Sequence, residues 1–211
     1  YFDAITFSSE DSDRVAQYQA NAKRQEVLVK ARDLGDYLCS LNMVLTVKPF
    51  DSVARPRITQ LINKSNQFNL TTRRYSEQQV AAFETNADIH TFQARLEDSF
   101  GDNGMISVVI CRANDEVWEI DTWLMSCRVL GRRVEEALLN TIVKSAEKEG
   151  AKFLHGLYCP TPRNELVKDH FKKLGFEFAE RKDDDTKIWR LDVSSFKSKD
   201  VPIRITLGRS I

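Results

Sequence analysis

Three arginines and one glycine lie close together in the stretch SCRVLGRRVEEALL, residues 126–139. The residues before it have the β-branched and aromatic content of a strand, and those after it have helical spacing. The start of a helix offers unpaired N–H groups that suit phosphate oxygens, and a glycine lets a ligand approach the backbone. We therefore predict a pyrophosphate site formed by Arg128, Val129, Leu130, Gly131, Arg132 and Arg133. The alternative is an ordinary turn glycine with its arginines in solvent.

Two carboxylates lie two positions apart on the predicted strand that leads into this stretch. Because side chains alternate along a strand, Glu119 and Asp121 share one face. Either carboxylate is a candidate general base. The alternative is a solvated or ion-paired strand face.

Cys127 and His170 are further catalytic candidates. Cys127 precedes Arg128 near the start of the helix, where positive charge favours a nucleophilic thiolate. A packing role is the alternative. His170 is a candidate proton donor, with a histidine on a helix surface as the alternative. The histidines show no metal-ligand spacing, so we predict no metal site.

A polar loop, NQFNLTTRRY at residues 66–75, follows a predicted helix. Arg73 has no acidic neighbour in the sequence, which favours a role in binding a ligand. We predict that the loop binds a ligand through Asn66, Asn69, Thr72 and Arg73. The alternative is a well-capped surface loop.

The elements that position these residues begin with a polar helix. Helical spacing covers residues 8–41, with a break near Gly35 and a cap at Ser8 or Ser9. Its apolar stripe is weak, so we interpret it as an N-terminal connector helix that packs on another part of the protein.

From Met43 onward, the patterns predict the order strand, two helices, three strands, helix, strand, helix and two strands, with a final edge strand. Ser76 and Gln79 form a capping box, and the last helix runs from Thr161 to Gly175. Short joints make the middle strands antiparallel. The predicted fold class is α+β, a mixed and mostly antiparallel sheet flanked by helices.

The composition is that of a globular chain without a general affinity for polyanions. Its 211 residues include 31 Lys and Arg against 31 Asp and Glu. We predict no nucleic-acid partner and no membrane association, since no apolar run approaches the roughly 20 residues that span a bilayer. Four scattered cysteines and the lack of a signal sequence predict reduced thiols in the cytoplasm. Because the chain does not begin with Met, we expect a piece of a longer protein.

The Arg128-x-x-Gly131 loop, in this order of elements, resembles the GNAT family of N-acetyltransferases. The family's loop is Arg/Gln-x-x-Gly-x-Gly/Ala and grips the pyrophosphate of acetyl-coenzyme A, so Arg133 stands where a small residue is usual. The resemblance implies an acetyl-CoA or other acyl-CoA cofactor, or a phosphopantetheine thioester. It also implies that the strand edge beside Met125 pairs with the pantetheine amides. In folds of this kind the loop between the first two helices covers the acceptor side of the cleft, so the resemblance implies that the loop at residues 66–75 binds a polar acyl group, a phosphate or the surface of a carrier protein.

The later stretch NELVKDHFKKLGF is similar to a second motif of that family, N-x-x-(small)-x-x-x-(Tyr)-x-x-x-Gly-Phe. Asn164, Gly175 and Phe176 match the motif, which implies a cofactor-binding role for Asn164. Phe171 stands where the family often has the tyrosine that protonates the leaving thiolate.

Longer blocks resemble the C-terminal portion of FkbH-like proteins, which join a haloacid-dehalogenase-type (HAD) phosphatase domain of subfamily IIIC to an acyltransferase-like domain. These blocks are RITQLINKSNQFNLTTRRYS, FGDNGMISVVI, EIDTWLMSCRVLGR and EEALL. The resemblance implies that residues 1–42 are a connector and the tail of the phosphatase domain, and that residues 43–211 are the acyltransferase-like domain. The string DDDT at residues 183–186 lacks the spacing of a phosphatase nucleophile loop and is predicted to be a solvated turn.

Better-known FkbH-like proteins load a glyceryl unit onto an acyl carrier protein for polyketide pathways. The resemblance therefore implies acyl transfer, with a HAD-type phosphatase domain and an acyl carrier protein as partners. The alternative is a non-catalytic module that docks a carrier protein beside the phosphatase domain. Phe171 favours the module, and the Arg128-x-x-Gly131 loop favours the transferase.

Overall fold

The computed structural model describes the backbone of residues 9–208 and the side chains of residues 19–208. Its first elements are α1 (Ser9–Lys30) and α2 (Leu34–Ser40). The predicted helix is interrupted, but the break precedes α2, and Gly35 lies inside that helix. The break lies before α2 because Asp33 caps that helix. Its Oδ1 accepts a hydrogen bond from the Asp36 N–H at 2.9 Å. No helix within residues 9–208 is both long and apolar enough to cross a membrane.

The later elements follow the predicted order, apart from one helix that is interrupted. They are β1 (Met43–Lys48), α3 (Arg55–Lys64), α4 (Glu77–Thr85), β2 (Ile89–Asp98), β3 (Gly101–Asn114), β4 (Val117–Met125), α5 (Val134–Lys148), β5 (Phe153–Tyr158), α6 (His170–Leu174), β6 (Glu177–Arg181), β7 (Lys187–Asp192) and β8 (Ile203–Leu207).

The strands form one mixed sheet in the order β6-β7-β5-β4-β3-β2-β1-β8. Neighbouring strands are antiparallel except in the pairs β4–β5 and β1–β8, which are parallel. Short joints between β2, β3 and β4 explain the antiparallel centre. The predicted α+β fold with a mostly antiparallel sheet and flanking helices is confirmed, and β8 is an edge strand, as predicted.

Alternation along β3 divides the hydrophobic core between the two faces of the sheet. Val108 and Ile110 belong to a core shared with α3 and α4. Val109 and Cys111 belong to a larger core shared with α2, α5 and α6. The sheet is therefore covered on both faces, and each face can carry its own cleft.

Two predicted helix termini are confirmed. The Ser76 side chain accepts from the Gln79 N–H at 3.2 Å, and Gln79 Oε1 accepts from the Ser76 N–H at 2.8 Å. Gly175 ends α6 in the left-handed region with φ 96°. The predicted cap at Ser8 or Ser9 depends on side chains outside the described part of the chain.

The predicted helix from Thr161 to Gly175 is wrong in its first half. A short 3₁₀ turn at Glu165–Val167 and then α6 take its place. Thr161 is not a helix cap, because no α-helix begins directly after it and its Oγ1 has no hydrogen-bond partner among the described residues. Its N–H donates to Asn164 Oδ1 at 2.8 Å. Asn164 thus bonds back to the preceding loop and keeps this part of the chain irregular.

Candidate active-site cleft

The strands β4 and β5 diverge, and the opening between them is where the GNAT resemblance implies pantetheine. Their parallel pairing ends at Ile120 and Gly156, whereas β4 continues to Met125. The last backbone groups of β4 therefore need other partners, because buried N–H and C=O groups are almost always bonded. This opening is called the β4–β5 gap below.

A segment of the chain itself occupies the β4–β5 gap. The Met125 N–H donates to Phe68 O at 3.1 Å, and the Leu70 N–H donates to Trp123 O at 3.0 Å. On the other side, the Cys159 N–H donates to Leu70 O at 2.9 Å. The residues from Phe68 to Leu70, called the bridging segment, thus join the end of β4 to the residue after β5. In this arrangement Met125 is not open to the pantetheine amides for which it was predicted.

Asn164 holds the bridging segment in place. Its Nδ2 donates to Asn69 O and to Cys159 O, each at 3.0 Å, and its Oδ1 accepts from Thr161 N–H at 2.8 Å. The side chain is fully buried, so these bonds replace those it would make to water. The predicted cofactor-binding role of Asn164 does not fit this geometry, because its amide is engaged by the backbone.

Aromatic rings fill the wall of the gap. The ring centroid of His170 lies 4.7 Å from that of Trp123 and 5.2 Å from that of Phe68. Gly156 makes room for the cluster, since a Cβ there would lie 2.3 Å from the ring of Phe171. The position where the resemblance leads us to look for a tyrosine hydroxyl therefore holds an apolar ring that is 1% exposed.

His170 is unsuited to the predicted role of proton donor. Burial, and then the nearby charge of Lys173, lowers its pKa to about 3, so the imidazole is neutral at pH 7. Its Nε2 has no hydrogen-bond partner among the residues that the structure describes. The residue packs among rings and is not the surface histidine of the alternative interpretation.

Asp121 is buried within a set of polar and positively charged groups. Its carboxylate accepts hydrogen bonds from Arg73, from Arg112 Nε at 2.9 Å, from Tyr75 OH at 2.6 Å and from Thr122 Oγ1 at 3.0 Å. Burial works to raise the pKa of Asp121, but the bonds from Tyr75 and Arg112 and the charge of Arg73 outweigh it and lower the pKa. The carboxylate is ionised and fully bonded, which opposes the predicted role of general base.

The same network changes the interpretation of Arg73. Arg73 has no acidic neighbour in the sequence, but in the fold it forms an ion pair with Asp121 of β4. Sequence reasoning missed Tyr75 and Arg112, which complete the network.

A β-bulge places Asp121 in this network. The register of β3 with β4 shifts between Ile110 and Cys111, which leaves Asp121 as an extra residue on β4 without a partner on β3. No alternation signal in the sequence marks this bulge, so the network could not be found from the pattern.

The loop from 66 to 75 holds itself together. Asn69 is buried, its Nδ2 donates to Ser65 O just before the loop at 3.2 Å, and its Oδ1 accepts from the Thr72 N–H at 2.9 Å. Asn66 accepts from Arg74, while Arg73 belongs to the network described above. This geometry fits a well-capped loop, and the substrate-binding roles of these residues stay predictions.

Glu119 and Cys127 remain accessible. Glu119 is half-buried and lies in register with His155 of β5. Cys127 is exposed, with its Sγ 3.5 Å from Gln67 Oε1. Their catalytic roles stay predictions. Among the described residues, no three His, Cys, Asp or Glu side chains are grouped to hold a metal ion.

The Gly131 loop directs most of its amides to its own carbonyls. It begins with a 3₁₀ turn, and the N–H groups of Val129, Leu130 and Arg132 donate to backbone oxygens three residues earlier, at 3.2, 3.4 and 3.3 Å. The predicted convergence of these amides on a diphosphate does not fit, because each already has an acceptor. Gly131 is exposed and left-handed with φ 76°, as in an ordinary turn.

Two of the three arginines bind carboxylates of the chain. Arg132 is buried and donates to Asp98 at 2.9 Å, and Arg24 of α1 binds the same carboxylate. Arg133 makes two hydrogen bonds to Glu136, at 3.0 and 2.7 Å. The predicted phosphate contacts of Arg132 and Arg133 therefore compete with ion pairs that are already formed.

Arg128 extends from the loop toward α3. Its Nη2 donates to Asn103 O at 3.3 Å, and its Nε donates to Ser126 Oγ at 3.1 Å. Burial lowers the pKa of Arg128, as does the positive charge of Arg57, while Asp102 opposes them. The three arginines thus do not meet at one anion site.

Among known proteins, the chain is similar to solved structures in its fold. No protein-family model and no curated protein matches it. The GNAT domain of S. lividans PAT is 18% identical, with a TM-score of 0.55 over 69% of this chain and 89% of that chain. A ribosomal-protein-alanine N-acetyltransferase from Escherichia coli is 16% identical, with a TM-score of 0.54 over 73% of this chain and 97% of that chain.

A spermidine N-acetyltransferase from Vibrio cholerae, solved in complex with CoA and spermine, is 12% identical. Its TM-score is 0.54, over 71% of this chain and 96% of that chain. Identities this low establish the fold and nothing finer. The architecture is that of the GNAT acetyltransferases.

Proposed function

We propose that this chain, which has the GNAT acetyltransferase fold, is the acyltransferase-like domain of an FkbH-like protein and acts as a non-catalytic module. In this role it docks an acyl carrier protein beside an attached HAD-type phosphatase domain in the cytoplasm. The observation that supports the proposal is the bridging segment in the β4–β5 gap. A transferase needs that gap for its thioester, whereas a docking module does not.

The bridging segment is held firmly. Its three backbone hydrogen bonds to β4 and to Cys159 are worth about 1 kcal/mol each. Leu70 is fully buried and Phe68 nearly so, and burial of each side chain contributes about 1.5–3 kcal/mol. Admitting pantetheine would remove these contacts, so the occupied gap is the stable state.

The groups around the gap also do not provide proton transfer. Phe171 has no hydroxyl, His170 is neutral, and the carboxylate of Asp121 is fully bonded. General acid–base catalysis requires a group within hydrogen-bonding reach of the reacting proton. Acyl transfer would therefore depend on Glu119 or Cys127, the accessible candidates.

Acyl-CoA-dependent acyl transfer is the second candidate function, and the fold and the Gly131 loop favour it. Gly131 and Arg133 have φ angles of 76° and 62°. A left-handed conformation costs roughly 1–2 kcal/mol for a residue with a Cβ. The family motif has glycine or alanine at the position of Arg133, so the loop keeps a backbone shape suited to a smaller residue. In this candidate, an acyl-CoA or a phosphopantetheine thioester displaces the bridging segment before transfer.

Mass spectrometry and calorimetry on one preparation of the protein distinguish the two functions. The chain is incubated with acetyl-CoA and with a panel of carrier proteins that bear acylated phosphopantetheine, and intact masses are followed. Titration calorimetry measures carrier binding. We expect saturable binding of a carrier protein and no change in the mass of either protein.

Acyl transfer to an acceptor or to the chain would overturn the docking module. The variants Glu119→Gln and Cys127→Ser would then test the base and the nucleophile. Glu116→Gln, an exposed carboxylate just before β4, is the matched control and should leave transfer unchanged. Absence of both binding and transfer would contradict both candidates.

A further inference from the structure

A second cleft lies on the face of the sheet that α3 covers. Its volume is about 960 Å³, and α3, β1, β2 and β3 form its walls. We call it the basic cleft, because its charged lining consists of five cationic side chains and one carboxylate, Lys48, Arg57, Lys64, Arg95, Arg128 and Asp51. The whole chain is neutral, with 31 basic and 31 acidic residues, so folding concentrates positive charge at this place.

Two of these cations serve the chain itself. Arg95 of β2 is paired with Asp102 of β3. Arg128 donates to Ser126 Oγ at 3.1 Å and to Asn103 O at 3.3 Å. Both guanidinium groups therefore stabilise the walls of the cleft, and the charge available to a ligand comes from the other three cations.

The carboxylate in the lining is engaged by neutral donors. Asp51 Oδ1 accepts from the Ala54 N–H, and its Oδ2 accepts from Gln93 Nε2, each at 2.8 Å. These bonds tie Asp51 to the start of α3 and to β2. The carboxylate therefore serves the fold and does not neutralise a cation of the cleft directly.

Lys48, Arg57 and Lys64 are available to a ligand. Among the residues that the structure describes, no carboxylate oxygen lies within 4.0 Å of their charged nitrogens. Arg57 Nη1 donates to Gln60 Oε1, a neutral group that leaves the positive charge unbalanced. Arg57 and Lys64 are exposed, and Lys48 is half-buried. These three charges therefore attract anionic groups from outside the chain.

The position of Arg57 does not favour α3 itself. Arg57 lies in the first turn of α3, which has no acidic residue, and the positive end of the helix dipole repels a cation there. Arg55 in the same turn is balanced by Glu84, to which it donates at 2.7 and 2.6 Å. Arg57 has no such partner among the described residues, so its charge favours a role in binding.

The spacing of the cations suits an extended ligand. Arg57 and Lys64 are seven residues apart on one face of α3, and this separates them by about 10 Å along the helix axis. Carboxylates seven residues apart on a second helix have the same separation. Lys48 of β1 adds a third charge from the sheet. The three cations therefore match separate carboxylates better than one compact anion.

Apolar side chains accompany these charges in the cleft. Val53 is 83% exposed, and Leu61 and Met105 are partly buried. A surface that combines apolar contacts with charges is typical of protein–protein recognition. Two turns of an α-helix are about 11 Å long and about 10 Å wide, which is comparable with the size of this cleft. A flat lipid surface, in contrast, would not reach Lys48 on the floor of the cleft.

We propose that the basic cleft docks an acidic α-helical segment of a partner protein. Separate carboxylates of that segment would pair with Lys48, Arg57 and Lys64, and its apolar side chains would pack on Val53 and Leu61. This is the helix-in-groove mode of recognition, with charge complementarity added to apolar contacts. The cleft is separate from the β4–β5 gap, and the proposal does not rest on the proposed function.

Fluorescence anisotropy with two stapled helical peptides of about 15 residues tests this proposal. One peptide carries glutamates four and seven residues apart beside leucines, and the other has glutamine in place of each glutamate. We expect saturable binding of the acidic peptide that weakens as salt is added, and affinity at least about tenfold lower for the neutral peptide. The double variant Arg57→Gln/Lys64→Gln should also lose at least about tenfold in affinity for the acidic peptide.

Lys144→Gln/Lys148→Gln is the matched control. It removes two exposed cations from α5 and should bind the acidic peptide like the wild type. Thermal unfolding shows whether the variants fold, and Arg57→Gln should unfold at the same temperature as the wild type or a higher one, because its charge opposes the helix dipole.

Three results would overturn the proposal. The first is the absence of saturable binding of the acidic peptide to the wild type. The second is equal affinity of the Arg57→Gln/Lys64→Gln variant and the control variant. The third is tighter binding of a single-stranded oligonucleotide of the same charge than of the acidic peptide, because this would assign the cleft to nucleic acid.

Discussion

At the residue scale, burial decides between catalysis and packing around the β4–β5 gap. His170 and Asp121 are catalytic candidates by residue type, and both are buried. Desolvation keeps His170 neutral, whereas bonds from Tyr75, Arg112 and Arg73 keep Asp121 ionised. Each protonation state fits the surroundings of the side chain, and neither fits a group that exchanges protons with a substrate.

We predict that His170→Leu removes part of the acid sensitivity of the fold. The native pKa of about 3 lies below the ordinary value of 6.5, so between these pH values the native state binds fewer protons than the unfolded state. The stability that this group contributes is complete above pH 6.5 and falls as the pH decreases toward 3. From pH 7 to pH 5, the wild type should lose about 2 kcal/mol through this group.

Urea unfolding of both proteins at pH 7 and pH 5 measures this effect. The leucine variant should show a correspondingly smaller loss, because it has no imidazole to protonate in the unfolded state. Equal losses in the two proteins would show that His170 is not the source of the pH dependence.

At the scale of elements, the loop between α3 and α4 decides what the diverging strands can accept. Parallel strands that separate leave a strand edge with unpaired backbone groups, and any extended segment of suitable length can pair with it. Here the bridging segment does so, and Asn164 locks it from the side of β5. The fold therefore keeps the shape of an acetyltransferase while the strand edge is closed.

We predict that Asn164→Ala loosens the bridging segment. The substitution leaves three backbone groups without their partner, and the one that is fully buried, Asn69 O, costs about 1–3 kcal/mol before relaxation. Hydrogen exchange of the Leu70 and Met125 amides should accelerate relative to the wild type.

Asn140→Ala is the matched control for this experiment. Asn140 also makes two hydrogen bonds to backbone, both to Lys199 at 2.8 Å, but these join α5 to the segment before β8. Asn140→Ala should lower the stability of the fold without selectively accelerating hydrogen exchange of the Met125 amide. If exchange at Met125 is the same in Asn164→Ala as in the wild type, Asn164 does not hold the segment.

At the scale of the whole molecule, a buried ion network fixes α1 to the sheet. The side chain of Asp98 is inaccessible and binds Arg24 of α1 and Arg132 of the Gly131 loop. Burial works to raise the pKa of Asp98, but hydrogen bonds from Arg24, from the Phe100 N–H and from Asn103 outweigh it and lower the pKa. The predicted connector helix is therefore attached to the same carboxylate as the loop that was expected to bind phosphate.

We predict that Arg24→Ala detaches α1 and lowers the stability of the chain by about 1–3 kcal/mol, since a buried carboxylate loses a charge-assisted partner. Limited proteolysis should cut the segment between α1 and α2 faster, and thermal unfolding should occur at a lower temperature. Arg32→Ala is the control, because its side chain is 89% exposed and its pair with Asp36 lies on the surface. Similar behaviour of the two variants would contradict an anchoring role for Arg24.

Much of the fold could be predicted from the sequence because its signals are local. Periodicity located the strands and most helices, and the capping box at Ser76 and the glycine after α6 marked two helix ends. The broken helix before α6 was missed because Asn164 prefers a bond to the preceding loop over a helical turn, and helical spacing does not reveal that competition.

The sequence by itself determined the order of elements, the α+β class and the presence of an arginine-rich loop between a strand and a helix. These follow from side-chain spacing within single elements. Only the tertiary structure decided that the bridging segment occupies the edge of β4, that Arg73 meets Asp121, and that Arg128 turns to the basic cleft. Such contacts join residues far apart in the chain, and their free energy depends on burial and on shared partners that no local pattern contains.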